Sequence, residues 1–594
     1  MRRRLAPRWM LPLLACSVAL SASLARAAES VSADRRFPSD AVGFFSIPDF
    51  KQLKSQFHST SLGQLMKEKS LADFWQQVQK SIDEASEGVQ KQLGISLEEL
   101  ISIPQGELAI GLVQQKNAPI SYVLLMDFGD NGKTVNKLLD RASKQVEDDG
   151  AKRSEEDYQG VSMVIFTKKP EVDEQDKNAP PPPPQTMVWG IKDSFLLISS
   201  SVNAMKQTLD QWDGKGNDTL ADNEVYHYIV ERCRDENQKR PSTAVWFLDP
   251  VGFLKAMANS APQLPPQAAE MMKALPTLGL NKFKGLGGTV DLADGDYDSI
   301  SRTLVYYDTP ATGVLQLLQF PPKALHPAKW VSAETSSYTE VNWDIEDAFK
   351  AITKVFDQFN GQGALEKIID DIADAEEGPK INLKRDVVDQ LNGDVVMLTE
   401  ADVQDPLQAE RYLFALGVKD ADAMQKTLGA IARTPGFPGK PRDFKGATIY
   451  EIAPTPQEAE EDQKAKTTPV SAGIALVANH IMVATDVRLI ENALRNGGDE
   501  PLADTASYKH ISKFFPDRAS SIGFQRSDVQ ARAMYDALRS GKASEVFGEN
   551  VKIDFSTLPP FDAIKPFLRP SGSYMNPDKR GLFMVSFSLK NKAE

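Results

Sequence analysis

The sequence predicts an α+β fold built from two diverged copies of one module, with mostly antiparallel sheets packed against amphipathic helices. Short segments rich in β-branched and aromatic residues, such as TAVWFLD and GLFMVSFSL, are typical of strands. Other segments have apolar residues at helical spacing. Finally, a series of matching segments recurs in the same order in both halves of the chain.

Two segments show the helical spacing most clearly. In the first half, Ser70 with Asp73 forms a candidate capping box. The apolar positions that follow Ser70 are Leu71, Phe74, Trp75, Val78 and Ile82. The counterpart helix in the second half is predicted from Phe349, Ile352, Phe356 and Phe359.

Hairpins are predicted where strand-like segments flank a tight turn. Asp294-Gly295 lies within GGTVDLADGDYDSISRTLVYYD and fits such a turn. The C-terminal segment GSYMNPDKRGLFMVSFSL has the same character. Hairpins combined with strand-to-helix units indicate α+β rather than a parallel α/β sheet.

Six pairs of segments match between the halves in one order. GFFSIPDFKQL from Gly43 matches TEVNWDIEDAF from Thr339, 296 residues later. IPQGELAIGL matches QLNGDVVMLT at a separation of 287, and the segments from Tyr122 and Tyr412 match at 290. The remaining matches pair Gly160 with Gly446, Leu209 with Leu494, and Tyr226 with Tyr508. The nearly constant separation indicates internal duplication.

The predicted organisation is a signal peptide and two modules. Residues 1–27 form the signal peptide, 28–325 the first module and 326–594 the second. Each module contains a charged, Pro-rich loop expected to be disordered, at 168–185 and 453–471. The boundary is expected in FPPKALHPAKW, between Pro321 and Trp330, where the periodicity is interrupted.

The N-terminus predicts export. Four arginines precede the apolar run WMLPLLACSVAL, and Ala25 and Ala27 occupy the small positions of a cleavage site, so the mature chain is expected to begin at Ala28. The alternative is a lipoprotein anchored through Cys16, because Leu13-Leu14-Ala15-Cys16 resembles a lipobox. A periplasmic or secreted location is expected, with no transmembrane helix after cleavage.

The composition restricts the partners and the source of stability. The whole chain has a formal net charge of −14, and the first 27 residues hold five arginines and no acid, so the mature chain is more acidic still. Such a surface repels phosphate backbones, and no nucleic-acid partner is expected. Cys233 is the lone cysteine after cleavage, so apolar cores rather than a disulfide must stabilise the chain. Arg232 and Arg234 are expected to favour its thiolate, although a structural cysteine is the simpler interpretation.

Candidate metal and cofactor motifs have simpler structural interpretations. The five histidines, His58, His227, His326, His480 and His510, do not have metal-ligand spacing. Asp294, Asp296 and Asp298 alternate as in a calcium loop but lack its Gly and closing Glu, so a polar turn is expected. The acidic run is expected to solvate a helix end, with weak divalent-ion binding as the alternative; it comprises Asp370, Asp371, Asp374, Glu376 and Glu377. Gly285 to Gly288 read GLGG without a dinucleotide fingerprint. No cofactor, metal or catalytic residue is therefore assigned.

Glu107 and Asp394 are the most interesting acidic pair, since each follows a glycine at the same point of its copy. Paired carboxylates can act as general acid and base, which would suit a hydrolase. A Gly-acid turn that opens a strand explains the same residues structurally, and this is the interpretation we favour.

The opening FPSDAVGFFSIPDFKQLKSQFHSTSLGQLMKE and the Gly-acid strands GELAIGL and GDVVML resemble a class of large, uncharacterised exported bacterial proteins that carry a domain of unknown function. The resemblance implies export and repetition but no activity. The sequence favours a non-catalytic envelope protein that binds or scaffolds an envelope or extracellular partner. The alternatives are a hydrolase with a site between the modules and a carrier of apolar ligands.

Overall fold

The structure is a computed structural model that describes residues 31–93, 95–115, 118–168, 184–235, 240–260, 266–376, 378–401, 410–455, 470–495, 500–541 and 553–590. The predicted signal peptide, its cleavage site and Cys16 lie outside the described residues. The two predicted Pro-rich loops, 168–185 and 453–471, also lie largely outside them.

Ten strands lie among the described residues of the first half. They are β1 (Gly43–Ile47), β2 (Leu108–Gln115), β3 (Ala118–Asp127), β4 (Lys152–Tyr158), β5 (Val161–Lys168), β6 (Gln185–Lys192), β7 (Phe195–Ser199), β8 (Ala244–Leu248), β9 (Phe283–Leu292) and β10 (Tyr297–Tyr307).

Ten further strands lie in the described ranges of the second half. They are β11 (Thr335–Asn342), β12 (Leu391–Ala401), β13 (Glu410–Val418), β14 (Lys440–Phe444), β15 (Ala447–Ile452), β16 (Ala472–Val477), β17 (His480–Ala484), β18 (Ser521–Arg526), β19 (Pro570–Asp578) and β20 (Gly581–Leu589).

The α-helices lie between these strands. In the first half they are α1 (Phe50–Ser59), α2 (Ser61–Leu65), α3 (Ala72–Leu93), α4 (Leu97–Ser102), α5 (Gly132–Asp148), α6 (Val202–Asp210), α7 (Glu224–Cys233), α8 (Pro250–Ser260) and α9 (Pro266–Ala274). In the second half they are α10 (Ile345–Asn360), α11 (Ala364–Asp374), α12 (Ala421–Ala432), α13 (Val487–Leu494), α14 (Ala506–Ile511), α15 (Ser527–Arg539) and α16 (Phe561–Ile564). Among the described residues, no helix has both the length and the apolar character needed to cross a membrane.

The described strands form one antiparallel sheet. In the first half the spatial order is β4, β5, β6, β7, β3, β2, β1, β8, β9, β10. In the second half it is β14, β15, β16, β17, β13, β12, β11, β18, β19, β20. Strands β10 and β20 pair with each other and join the two runs. The predicted α+β class with a largely antiparallel sheet is confirmed.

The largest apolar core lies between one face of the sheet and short helices from both halves. Met205 and Leu209 of α6 and Ile229 of α7 are buried there, and Ile490 of α13 and Ile511 of α14 are buried in the same cluster. A second cluster lies under α5, where Val135 packs with Phe166, Trp189 and Leu196. The short helices therefore cover one face of the sheet in both halves. The opposite face is exposed to solvent where no other helix packs on it.

A third cluster joins helices from the two halves. Leu71 and, on α3, Phe74 and Trp75 pack with Tyr535 of α15 and Phe561 of α16. The predicted helix after Ser70 is therefore present, but the predicted Ser70–Asp73 capping box is wrong. The carboxylate of Glu68 accepts the backbone N–H of Ser70 instead, because a short 3₁₀ turn precedes the α-helix.

The predicted helix around Phe349 is confirmed as α10, and Asp344 caps it by accepting the N–H of Asp347. Its apolar residues are not all buried, since Ile352 is 44% and Phe359 56% exposed. The predicted hairpins are also present. Gly295 has φ +52° in the turn between β9 and β10, and GLGG lies inside β9 rather than in a phosphate-binding loop.

Candidate binding surface

Four strands near the junction of the halves each carry two hydroxyl side chains two residues apart. Because alternate residues of a strand point to opposite faces, such a pair occupies one face. The intervening residues on three of these strands, Ile300, Tyr338 and Phe587, are buried in the main core. We call the eight hydroxyl residues on the opposite face the hydroxyl platform: Ser299, Ser301, Ser337, Thr339, Ser571, Ser573, Ser586 and Ser588.

The strand register aligns the platform into two rows. One row consists of Thr339, Gly523, Ser573, Ser586 and Ser301, which are direct partners on β11, β18, β19, β20 and β10. The other consists of Ser337, Gln525, Ser571, Ser588 and Ser299 on the same strands. The platform therefore crosses the β10–β20 junction and is built by both halves.

Most platform hydroxyls are available to an external ligand. Ser299 Oγ and Ser588 Oγ lie 2.9 Å apart and bond to each other. Within the described part of the chain, the other six hydroxyls have no hydrogen-bond partner in the protein, and Ser586 is exposed. A hydroxyl both donates and accepts, so each can bond to a ligand group of either kind.

Gly523 leaves a shallow groove in the platform because it has no side chain. A groove of about 110 Å³ is lined by Thr339, Gly523, Ser573 and Ser586, among others. A Cβ at Gly523 would lie 2.3 Å from Ser573 Oγ, so any larger residue would enter the groove. Glycine thus leaves space at the centre of one row.

An exposed cluster continues the rows beyond the platform. Met397, Tyr412, Phe414 and Val483 are 45%, 51%, 38% and 45% exposed, and we call them the apolar patch. Val483, Phe414 and Met397 are successive partners on β17, β13 and β12, and Met397 pairs directly with Thr339 of the platform. The first row therefore crosses eight strands without a charged side chain, a distance of roughly 34 Å at ~4.8 Å per strand.

The second row ends at Tyr412. Thr399 pairs with Tyr412 and with Ser337, which joins the patch to the platform. The Tyr412 hydroxyl donates to Glu410 at 2.7 Å, and Gln530 Nε2 donates to the same carboxylate at 2.9 Å. The hydrogen bond to Glu410 raises the pKa of Tyr412. These bonds restrain the exposed ring at the end of the row.

A similar pair of strand residues in the first half lies beside a long helix. Leu124 and Ile198 pair on β3 and β7 as Phe414 and Val483 pair on β13 and β17. Ile198 packs against the cluster under α5, a helix of 17 residues. The helix that follows β13, α12, has 12 residues, and Val483 remains exposed.

The first half also exposes apolar residues on this face. Phe45 and Ile110 are direct partners on β1 and β2 and are 41% and 36% exposed. Phe45 is linked through Trp246 and Gly288 to Thr303 on β10. Apolar side chains therefore flank the platform on both sides, and we call this whole surface the open face.

The carboxylates singled out in the sequence do not meet. Glu107 accepts the backbone N–H of Ala33 at 2.9 Å and the hydroxyl of Ser46 at 2.9 Å, and desolvation by burial raises its pKa to about 7. Asp394 accepts a hydrogen bond from Lys323 at 2.5 Å. Eight strands separate β2 from β12 in the sheet, so the two carboxylates cannot act on one substrate group. Each carboxylate instead binds the segment that precedes the first strand of its half and holds that segment against the sheet.

Other sequence candidates also have structural roles. Arg232 lowers the pKa of Cys233 as expected, but burial outweighs this effect and raises the pKa to about 12, so the thiolate is not favoured. Arg232 pairs with Asp578. In the turn, Asp294 pairs with Arg240, and Asp298 accepts the N–H of Ser61.

The described histidines and the acidic run likewise show local contacts. His480 packs edge-on against Trp330, and His510 against Phe514. Asp370 accepts a hydrogen bond from the Asn382 amide. Within the described ranges, no group of three His, Cys, Asp or Glu side chains is arranged to hold a metal ion.

The open face was missed in the sequence, although a signal for it is present. The segments SIS, SYT, SGS and SFS each place two hydroxyl residues at positions i and i+2 of a strand. Each segment taken singly is typical of the solvent-exposed face of an ordinary strand. No family model, curated protein or solved structure matches the chain.

Proposed function

We propose that this protein is a non-catalytic binding protein whose open face is the binding surface. The observation that carries the proposal is the pair of uncharged rows that cross the sheet and combine unpartnered hydroxyls with exposed aromatic and Met side chains. A contiguous exposed apolar patch bordered by polar residues is typical of an interaction site. The separate, locally bonded carboxylates favour binding over the hydrolase alternative.

A carrier of apolar ligands is the second candidate, favoured by a groove between α10 and α11. The groove has a volume of about 650 Å³, and Phe349 and Ile369 contribute apolar surface to it. Lys350, Lys354 and Glu366 also line it, so a ligand there would need polar groups at its ends. The open face has a larger uncharged extent, and we therefore place the principal site there.

We also propose that the two halves are diverged copies of one module. Counted from its own first strand, each half has the same strand order. Gly160 and Gly446 have φ values of +76° and +82°, and each follows a residue with φ near +50° in a β-hairpin. The predicted separations of 287 and 290 agree with the register, in which Leu108 pairs with Met126 as Val395 pairs with Leu416.

The first matched segment needs a different separation. Ile47 pairs with Leu108, and Val341 pairs with Val395. If Leu108 and Val395 correspond, Ile47 corresponds to Val341, a separation of 294 rather than 296. The helices that follow these strands start at Phe50 and Ile345, 295 residues apart, so the connection from strand to helix is one residue longer in the second half.

We further propose that the chain is exported and works in the periplasm or outside the cell. The support is the N-terminal sequence, with its arginines, short apolar run and Ala-x-Ala site. The lipoprotein alternative through Cys16 predicts an acylated, membrane-bound form. Intact mass distinguishes a chain that begins at Ala28 from one that begins at acylated Cys16.

Site-directed photo-crosslinking tests the binding surface. Ser586→Cys in the chain from Ala28 can be labelled selectively with benzophenone maleimide, because Cys233 is buried and burial raises the pKa of its thiol to about 12. Ser162→Cys is the matched control, since Ser162 is an exposed strand serine far from the platform. After incubation with native envelope material, we expect an adduct from position 586 that is missing from position 162. Equal or no crosslinking at both positions would refute the proposed surface.

A further inference from the structure

We propose that the ligand of the open face is an uncharged oligosaccharide chain that lies across the strands. This inference rests on the proposed binding function and specifies the chemistry of its ligand. It is carried by three properties of the rows: the kind of side chain, the absence of charge within them and their length.

The side chains match the two surfaces of a sugar ring. A pyranose exposes hydroxyl groups around its rim and C–H groups on its faces. Ser573, Ser586 and Ser301 offer unpartnered hydroxyls that can donate to and accept from sugar hydroxyls. Tyr412 and Phe414 offer exposed rings against which C–H groups can pack.

The charge distribution selects against charged polymers. Both rows consist of uncharged residues from the apolar patch to Ser301 and Ser299. No lysine or arginine lies in them to pair with phosphate, sulfate or carboxylate groups. The chain as a whole has a net charge of −14, which also opposes polyanions.

The shape selects a chain over a single sugar. The groove at Gly523 is shallow, about 110 Å³, and cannot enclose a ligand. The first row extends roughly 34 Å at ~4.8 Å per strand, so several sugar units can bind along it at once. Many weak contacts along an extended ligand then supply the affinity that one shallow groove cannot.

A glycan microarray with neutral and charged glycans provides the direct test. We expect the chain from Ala28 to bind neutral oligosaccharides and to ignore monosaccharides and polyanionic glycans. Titration calorimetry with the strongest neutral glycan should then show about tenfold weaker binding for Tyr412→Ala, because exposed aromatic contacts are common energetic centres of binding. Tyr412→Phe should retain most of the affinity, since it keeps the ring.

The hydroxyls are tested by a second pair of variants. Ser573→Ala combined with Ser586→Ala should weaken glycan binding severalfold, whereas Ser162→Ala should leave it unchanged. Circular dichroism confirms that each variant is folded. Binding that survives both the double variant and Tyr412→Ala would overturn the assignment to this face.

The crosslinking experiment separates the two levels of the proposal. If position 586 gives an adduct whose mass belongs to a peptide or lipid and the array shows no neutral glycan, the oligosaccharide inference is wrong and the binding surface stands. If neither the array nor the crosslinker detects a ligand at this face, both proposals fail. A glycan adduct at position 586 supports both.

Discussion

Glu340 is a carboxyl group buried beside other polar groups in the main core. It is 7% exposed, and the Tyr338 hydroxyl donates to its Oε2 at 2.8 Å. Desolvation by burial raises its pKa from 4.5 to about 7, with a smaller contribution from the neighbouring Asp394. The hydrogen bond from Tyr338 and, more weakly, the charge of Lys323 lower the pKa of Glu340. The folded protein therefore holds a proton on Glu340 that the unfolded chain releases at mildly acidic pH.

This proton predicts a pH dependence of stability. A folded pKa above the unfolded value contributes stability that is fully present below about 4.5 and lost as the pH rises through about 7. Glu340→Gln keeps an acceptor for Tyr338 and cannot ionise. The free energy of unfolding of the wild type should fall as the pH rises from 5 to 8. We expect this fall to be about 1–3 kcal/mol smaller in Glu340→Gln.

Urea unfolding at several pH values measures the difference. Glu155→Gln, which replaces an exposed acid on β4, is the control and should follow the wild type. Parallel pH profiles for the wild type and Glu340→Gln would show that Glu340 takes up no proton on folding.

Cys233 allows a second test at the scale of one residue. The side chain is fully buried, and burial raises its thiol pKa to about 12. We expect no reaction with a chromogenic disulfide reagent at pH 8 in the folded chain from Ala28, and one equivalent of thiol after unfolding in guanidinium. Rapid modification of the folded chain would show that α7 does not cover this cysteine.

At the scale of elements, the two outermost strands, β4 and β14, carry residues that discourage the sheet from pairing with another chain. β4 has the sequence KRSEEDY and exposes most of its side chains, and β14 begins Lys440-Pro441-Arg442. Charges and proline on an edge strand discourage pairing with another chain. The Arg153–Glu155 ion pair on β4 is exposed and contributes little to stability. We infer that these charges mainly discourage pairing of β4 with another chain.

The edge therefore makes a prediction about association. Arg153→Thr combined with Glu155→Thr leaves net charge unchanged and improves the β-propensity of an unpaired edge. We expect concentration-dependent dimers in size-exclusion chromatography with light scattering. The matched control, Lys137→Thr with Asp140→Thr on α5, should stay at the wild-type mass. Equal behaviour of the two double variants would contradict the protective role of β4.

The hairpin turns at Gly160 and Gly446 test the duplication at the same scale. Open space surrounds both glycines, so a methyl group there costs only backbone strain at positive φ. We expect Gly160→Ala and Gly446→Ala each to lower the free energy of unfolding by about 1–2 kcal/mol. Clearly unequal costs, measured by urea unfolding, would show that the two turns are not equivalent.

The helices and turns were largely predictable because their signals are local. The spacing around Phe349, the Asp294-Gly295 turn and the alternation in GLFMVSFSL each act within a few residues. The helix cap at Glu68 was missed because a 3₁₀ turn competes with the capping box at Ser70. The open face was unpredictable in detail, since Ser301 and Ser586 become neighbours only through the pairing of β10 with β20.

At the scale of the whole molecule, the β10–β20 pair converts two halves into one surface. The two rows of the platform cross this junction, so neither half alone contains a complete row. Beneath it, on the opposite face, Arg302 donates to Asp291 and Asp235 at 3.0 Å each and fixes β10 against β9 and the segment after α7. The proposed site thus depends on the arrangement of the halves as much as on its own residues.

The proposed binding surface requires that Ser301 and Ser586 are direct neighbours across this junction. Formation of a disulfide between cysteines at these two positions tests whether they are neighbours. Cross-strand partners have Cα atoms about 4.5–5.5 Å apart, within the range of a disulfide. We expect Ser301→Cys with Ser586→Cys, in the chain from Ala28, to form an intramolecular disulfide on mild oxidation, whereas Ser301→Cys with Ser162→Cys should not. Because Cys233 is also a free thiol, the disulfide leaves one free thiol in the first variant. Three free thiols after oxidation, measured by mass spectrometry, would contradict the shared sheet and the binding surface built on it.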